Sequence, residues 1–220
     1  ALRRALPHAH IAVLVGDWAT RLLQDNPDID EIMTCPFPAF VRGQKLKPWQ
    51  PYTLLFKYAK QLRVANFDTA IIARDDHWWG GLLAQAAGIG RRIGYAHPLV
   101  KPTLTTAVAW NPETHVTQQA LDLVAILGKR DDQHDLPTFY PTADEHDWAQ
   151  RWIAEHGISK PLMAIQAGSG GAAKLWLPER WAQVVRHYAQ THDVVLTGGA
   201  ADAADVAAIT ALLDDVAHHV

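Results

Sequence analysis

The stretch that decides the fold is "IQAGSGGAAKLWLPERWAQVV", residues 165–185, with "VVLTGGAADAAD", residues 194–205, close behind it. Each begins as a short apolar run, ends in glycines, and passes into a helical pattern. Strands separated by helices of 10–15 residues imply parallel sheets flanked by helices. In such sheets ligands bind beyond the carboxyl ends of the strands, which is where both glycine clusters fall.

Neither cluster is one of the familiar phosphate loops. A P-loop needs G-x-x-x-x-G-K-[ST], but Lys174 is followed by Leu175 and no glycine precedes it directly. A dinucleotide fingerprint needs G-x-G-x-x-G opening into a helix. Gly168 and Gly170 supply the first two glycines, but position 173 is alanine and the helix starts only at Pro178. What remains is anion chemistry in parts. Gly168, Gly170 and Gly171 let backbone amides approach a ligand, Ser169 adds a hydroxyl, and Lys174 adds a positive charge. Pro178 suits a first helical position, and helix N-termini attract phosphate. Thr197, Gly198 and Gly199 end the next strand, with Asp202 placed as an N-cap. The plain alternative is a pair of ordinary glycine turns, since such loops are short in any case.

The first half repeats the alternation. Strands are expected at 11–15, 29–35, 67–73 and 92–95, and helices at 18–24, 52–64, 82–87 (closed by Gly88) and 113–127 (ended by Gly128). Residues 36–51 read as a Pro-rich loop, "RDDHWWGG" (74–81) as a loop, and 96–112 as irregular. A polar linker is expected at 129–141, and a helix from 143 to 156, closed by Gly157. The reading is α/β with two Rossmann-like domains, 1–141 and 142–220, the second incomplete.

Composition bounds the rest. With 220 residues, about half of them apolar, there is material for a substantial core. A net charge of −3 and no long basic run argue against nucleic acid as a partner. Cys35 is the only cysteine, so no disulfide framework exists and a reduced, cytoplasmic setting is expected. No signal peptide and no run of about 18 apolar residues is present. The paired histidines His8/His10 and His218/His219 lack partners at zinc spacing, so no metal is expected. The chain opens without Met inside a helical pattern and stops just after a helix where a strand would follow. We therefore expect a fragment.

Taken together, "AIQAGSGGAAKLWLPERWAQVV…HDVVLTGGAAD", "FDTAIIARDDHWWGGLLAQAAGIGRRIGYA" (67–96) and "ETHVTQQALDLVAILG" (113–128) resemble glycosyltransferase family nine, the ADP-heptose:lipopolysaccharide heptosyltransferases. The resemblance covers most of the chain. It implies the two-domain GT-B architecture, with the first domain facing the acceptor and the second binding the nucleotide sugar. By position, Ser169, Gly170 and Lys174 would contact the diphosphate, and Asp202 or a neighbour the ribose. The family's aspartate base would precede Ala1, and its late phosphate-binding phrase would follow Val220. No catalytic base is therefore assigned.

The implied reaction is inverting transfer from an ADP-sugar to a hydroxyl of a glycolipid or cell-envelope glycan, without a cofactor. Metal-dependent transferases typically carry Asp-x-Asp, which "RDDH" does not match. Peripheral association with the inner face of a membrane fits such an acceptor. Asp75, Asp76 and His77 are acceptor-side candidates, with a solvated polar turn as the plain alternative. Trp78 and Trp79 read as a helix start against the core rather than as sugar-stacking groups. His115 stands near a helix N-terminus, either as an acceptor-side residue or as a cap. Three other readings remain: a transferase using another nucleotide sugar, a non-catalytic nucleotide- or carbohydrate-binding module, and last, a Rossmann-like oxidoreductase, which would need the full dinucleotide fingerprint.

Overall fold

The computed structural model describes residues 1–220 except 39–46, 48, 129–137, 170, 215, 217 and 220. Most of the expected linker, part of the Pro-rich loop, and Gly170 thus lie outside the described residues. The chain divides into two compact units, Ala1–Pro141 and Thr142–Val220.

The first unit runs α1 (Leu2–Ala5), β1 (Ala12–Val15), α2 (Thr20–Leu23), β2 (Glu31–Thr34), α3 (Gln50–Ala65), β3 (Thr69–Ile71), α4 (Trp78–Ala86), β4 (Arg91–Tyr95), β5 (Thr106–Val108) and α5 (Val116–Ala125). β1 and β2 pair in parallel, Ala12 opposite Glu31. β3, β4 and β5 form a second parallel ladder, with Ala70 opposite Arg92 and Gly94 opposite Ala107. One core serves both sheets. Leu55, Ala59 and Leu62 of α3 meet Trp79, Leu83 and Ala84 of α4 over Cys35 and Ile72, with Leu14, Met33 and Ala70 against them. Fully burying one such large aliphatic side chain stabilises by about 1.5–3 kcal/mol. Burial pushes the Cys35 thiol up to about 12, so it packs as a small protonated apolar group.

The strands and helices fall largely where periodicity places them, with three corrections. α4 begins at Trp78 rather than Leu82, so half of the expected loop 74–81 is helix. Its glycines serve packing: a Cβ on Gly81 would lie 2.2 Å from Thr103 Oγ1, and one on Gly80 would lie 2.6 Å from His77 Nδ1. Trp79 is buried and its indole N–H donates to Pro51 O at 3.0 Å, which ties α4 to the start of α3. Trp78 is exposed. The second correction is β5, which lies inside a stretch expected to be irregular. Three residues are too few to show a period, and this strand exists through its pairing with β4. Third, α5 starts at Val116, behind a His115 cap, rather than at 113.

The second unit runs α6 (Ala143–Glu155), β6 (Leu162–Gln166), α7 (Pro178–Tyr188), β7 (Asp193–Thr197) and α8 (Ala203–Thr210). A reciprocal capping box starts α6: Thr142 Oγ1 accepts from Glu145 N–H at 3.1 Å, and the Glu145 carboxylate accepts from Thr142 N–H at 2.9 Å. Gly157, at φ 61°, closes it, with Ile158 N–H reaching back to Ile153 O. β6 and β7 pair in parallel, Leu162 opposite Asp193 and Gln166 opposite Thr197. His219 continues the pattern beyond β7, donating to Val194 O and accepting from Leu196 N–H, both at 2.9 Å. Ile165, Val194, Leu196, Ala182, Val185, Val206, Ile209 and Leu213 form this unit's core.

Asp193 sets the edge of this sheet. One of its carboxylate oxygens accepts from Ser159 N–H at 2.7 Å and from Lys160 N–H at 2.8 Å. These backbone bonds, Lys160 first, hold its pKa below the usual 3.8. A carboxyl group that is more acidic folded than unfolded stabilises fully above the unfolded value and loses that contribution as pH falls through the folded one. Asp193→Asn should therefore melt below the native protein at about pH 6, and the gap should narrow by about pH 3. Melting curves at the two pH values check this; a constant gap would show that the charge contributes nothing.

Candidate functional site

Parallel pairing of β6 and β7 brings both glycine loops to one sheet edge, because Gln166 and Thr197, the last residues of the two strands, lie opposite each other. Gln166 couples the strand ends: its side-chain oxygen accepts from the Thr197 hydroxyl at 3.1 Å, and its NH₂ donates to an Asp202 carboxylate oxygen at 3.3 Å. Asp202 joins the loops. The same carboxylate oxygen accepts from Gly199 N–H at 2.9 Å, and Asp202 N–H donates to Gly199 O at 2.8 Å. The space beside Gly168 is filled by this carboxylate, since a Cβ there would lie 2.1 Å from Asp202 Cγ. A Cβ on Gly198 would also be tight, 3.0 Å from Asp202 Cβ.

Asp202 was expected to cap the last helix. It makes no side-chain cap to α8 and instead closes the short 3₁₀ turn Ala200–Asp202 that precedes it. In this turn the carboxylate accepts from Gly199 N–H, at the start of the turn. Gln166 went unnoticed in the sequence. The available signal was its position as the last residue of a strand whose neighbour ends in a hydroxyl.

Lys174 ends a second 3₁₀ turn, Ala172–Lys174, its N–H donating to Gly171 O at 2.9 Å. Its side chain is exposed and forms no salt bridge with any described residue. Pro178 occupies the first turn of α7, which has no side-chain cap among the described residues. The first turn of α7 thus keeps its N–H groups without a side-chain acceptor among the described residues, at the positive end of the helix dipole. Ser169 lies half-buried in the loop between Gly168 and the turn. Residues 168–178 thus carry, in one stretch of chain, the residue types that an anion site uses: glycines, an exposed lysine and a helix start with no side-chain cap among the described residues.

In the first unit, the acceptor-side candidates lie past the carboxyl end of β3. Asp76 is paired with Arg74 through two contacts, 2.5 Å to Nε and 3.0 Å to an NH₂ nitrogen. The Arg74 hydrogen bonds hold Asp76 below the usual carboxylate range, and in return hold Arg74 up. His77 is half-buried, edge-on to Phe37 at 5.1 Å. Burial first, then the Arg74 charge, lowers its pKa against the opposing pull of Asp76, so it is neutral at neutral pH. Asp75 is partly buried and close enough to raise Tyr95 electrostatically. Tyr95, at the end of β4, is buried, and its hydroxyl has no hydrogen-bond partner among the described residues. Burial, then Asp122 and Asp75, pushes it up to about 12. Nothing in the sequence singled out Tyr95. Next to it, His97 lies edge-on to Trp110 at 5.6 Å. His115 belongs to the cap of α5: its Nδ1 accepts from Thr117 N–H at 3.3 Å.

Comparison with known proteins gives the family and the fold. The profile of "Glycosyltransferase family 9 (heptosyltransferase)" matches residues 55–220. No curated protein matches in sequence. Among solved structures, a family 9 glycosyl transferase from Veillonella parvula superposes with a TM-score of 0.79 at 20% identity, covering 99% of this chain and 61% of its own. The E. coli ADP-heptose lps heptosyltransferase II gives 0.70 at 20% identity, covering 97% and 62%. E. coli heptosyltransferase WaaC, solved with ADP-2-deoxy-2-fluoro heptose, gives 0.68 at 12% identity, covering 97% and 66%. The chain thus spans about three-fifths of the length of these structures, and its fold is that of part of a GT-B glycosyltransferase. The profile match takes in both glycine loops, Asp202, Lys174 and the Arg74–His77 segment, and by it the chain belongs to glycosyltransferase family 9.

Proposed function

We propose that this chain is the acceptor-side domain and the first part of the donor domain of an inverting glycosyltransferase. In this reading it takes an ADP-sugar and transfers the sugar to a hydroxyl of a glycolipid or cell-envelope glycan. The observation that carries it is the pair of glycine loops joined by Asp202 at one edge of β6 and β7, with Lys174 exposed beside them. An acceptor hydroxyl attacks the anomeric carbon from the face opposite the leaving group. The anomeric carbon–oxygen bond breaks, and ADP leaves with the electron pair. The charge that develops on its diphosphate is met by the Lys174 ammonium, the amides around Gly168 and Ser169, and the start of α7. Lys174 can supply this countercharge in place of a metal. The hydroxyl proton passes to a base, which none of the residues described above is assigned to be.

Thr197, Gly198, Gly199 and Asp202 are the ribose side of this donor site, and Asp75 and Asp76 are acceptor-side groups. The Asp76–Arg74 pair presents both carboxylate and guanidinium to a polar ligand. The enzyme acts at the cytoplasmic face of the membrane that holds its acceptor.

Calorimetric titration with ADP, UDP and GDP tests the donor. ADP should bind most tightly; tighter binding of UDP or GDP would replace the donor, and no nucleotide binding would favour a carbohydrate-binding module. Gly168→Ala provides an internal check. Its methyl group displaces the Asp202 carboxylate and breaks the joint between the loops, so ADP affinity should fall by about tenfold or more, the effect of losing one charge-assisted contact. The far-ultraviolet circular dichroism should not change.

A further inference from the structure

The carboxylate of Asp202 is held through one of its two oxygens. Oδ2 accepts from Gly199 N–H at 2.9 Å and from the Gln166 NH₂ at 3.3 Å. Oδ1 has no hydrogen-bond partner among the described residues and lies beside Gly168, where an added Cβ would collide with it. The spare acceptor therefore stands at the junction of the two glycine loops. The last torsion of an aspartate side chain is broad, so a carboxylate with a single donor can turn about that bond. Here two donors meet one oxygen, one from the backbone of the second loop and one from the end of β6, and together they restrict the rotation. Gln166 is itself oriented. Its Oε1 accepts from the Thr197 hydroxyl at 3.1 Å, which the parallel register places opposite it. Charge decides which end of the amide faces Asp202, because the NH₂ donates to a carboxylate that a carbonyl oxygen would repel. Gln166 is exposed and lies outside the core of this unit.

We propose that Gln166 is a positioning residue that sets the sugar selectivity of the nucleotide site: it holds Asp202 so that Oδ1 accepts from a ribose hydroxyl, and the site thereby selects ribonucleotides over deoxyribonucleotides. The inference rests on the donor reading above and adds to it the residue that controls this choice. A carboxylate oxygen only accepts, so the ligand group that meets Oδ1 must donate. A second anion would be repelled there, whereas a hydroxyl brings a donor without charge. A site built to bond a hydroxyl rejects the analogue that lacks it, because its own polar group is then left unpaired. A carboxylate free to turn would escape that penalty by turning to water. Holding it in place keeps the penalty, and also removes the cost of ordering the group when the ligand arrives. Gln166 touches no ligand atom in this scheme and acts through Asp202.

Calorimetric titration with ADP, 2′-deoxy-ADP, 3′-deoxy-ADP and inorganic pyrophosphate tests it, on the native protein, Gln166→Leu and Thr197→Val. The native protein should bind ADP about tenfold or more tightly than at least one of the deoxy analogues, the effect of one hydrogen bond to a charged group. In Gln166→Leu that ratio should shrink towards one. Its pyrophosphate affinity should stay native, since Gln166 faces Asp202 and not the diphosphate. Thr197→Val should shrink the ratio in the same direction by less, because the amide keeps Asp202 as a partner and loses only its own anchor. Equal native affinity for ADP and both deoxy analogues, or a native ratio in Gln166→Leu, would overturn the proposal and leave the ADP reading in place. So would an equal fall in ADP and pyrophosphate affinity in Gln166→Leu, which would make Gln166 a general support of the loops. Absence of ADP binding by the native protein would overturn both readings.

Discussion

Lys174→Ala should weaken ADP binding by about 10- to 100-fold without changing the melting temperature. The magnitude follows from the loss of one charge-assisted contact to a diphosphate, about 1.5–3 kcal/mol. The unchanged stability follows from the side chain's position. It is exposed at the end of a 3₁₀ turn and is paired with no described carboxylate, so its removal strands nothing inside the protein. The turn itself is held by the backbone bond to Gly171 O, which alanine retains. Lys174→Arg should restore part of the affinity, because the charge returns with a different donor geometry. The ADP affinity of the native protein should fall with salt, and that of Lys174→Ala should fall less steeply. Calorimetry giving the same ADP affinity for the native protein and Lys174→Ala would remove Lys174 from the diphosphate site.

Gly81→Ala should destabilise the first unit by about 1–3 kcal/mol, although alanine is the better helix former by about 1 kcal/mol. The added Cβ would sit 2.2 Å from Thr103 Oγ1 and 3.3 Å from Val100 Cγ1. Thr103 cannot turn aside cheaply. It is buried, β-branched, and its hydroxyl donates to Val100 O at 2.7 Å. Yielding would cost that bond and disturb Val100, which is wholly buried. Thr103→Ala alone should cost about 1 kcal/mol for the lost hydrogen bond. The double variant should be more stable than the two single effects predict, because the second change removes the atom the first collides with. Urea denaturation of the four proteins measures the coupling. Simple additivity would mean that the helix and the Val100–Thr103 turn move apart instead of clashing.

The same pair of residues shows where sequence reading stopped. Gly80 and Gly81 look like a loop because glycine disfavours helix interiors. Their helical placement depends on Thr103 and His77 needing the space, and Thr103 comes from a turn about twenty residues away. β5 was invisible for a similar reason, since its three residues become a strand only beside β4. Asp202 looked like a helix cap by its type and position. Its partner is decided by the curl of one 3₁₀ turn and by the nearness of Gly168 in the neighbouring strand's loop. By contrast, the helix stops at Gly88 and Gly157 were legible, because a left-handed φ (80° and 61°) is a local demand that glycine meets at no steric cost. So was the start of α7 at Pro178, whose fixed φ suits a first helical turn.

By itself, then, the sequence determined the alternation of strands and helices, the parallel pairing class, the position of both glycine loops at strand ends, and the family. All of these depend on local periodicity, on glycine and proline backbone limits, or on the order of short phrases along the chain. Only the tertiary structure decided that Asp202 and Gln166 lock the two loops together and that Asp76 is held by Arg74. Those facts depend on parallel register and on which side chain reaches a given hydrogen bond first. Each is a relation between residues distant in the chain or competing for one partner, and packing settles it.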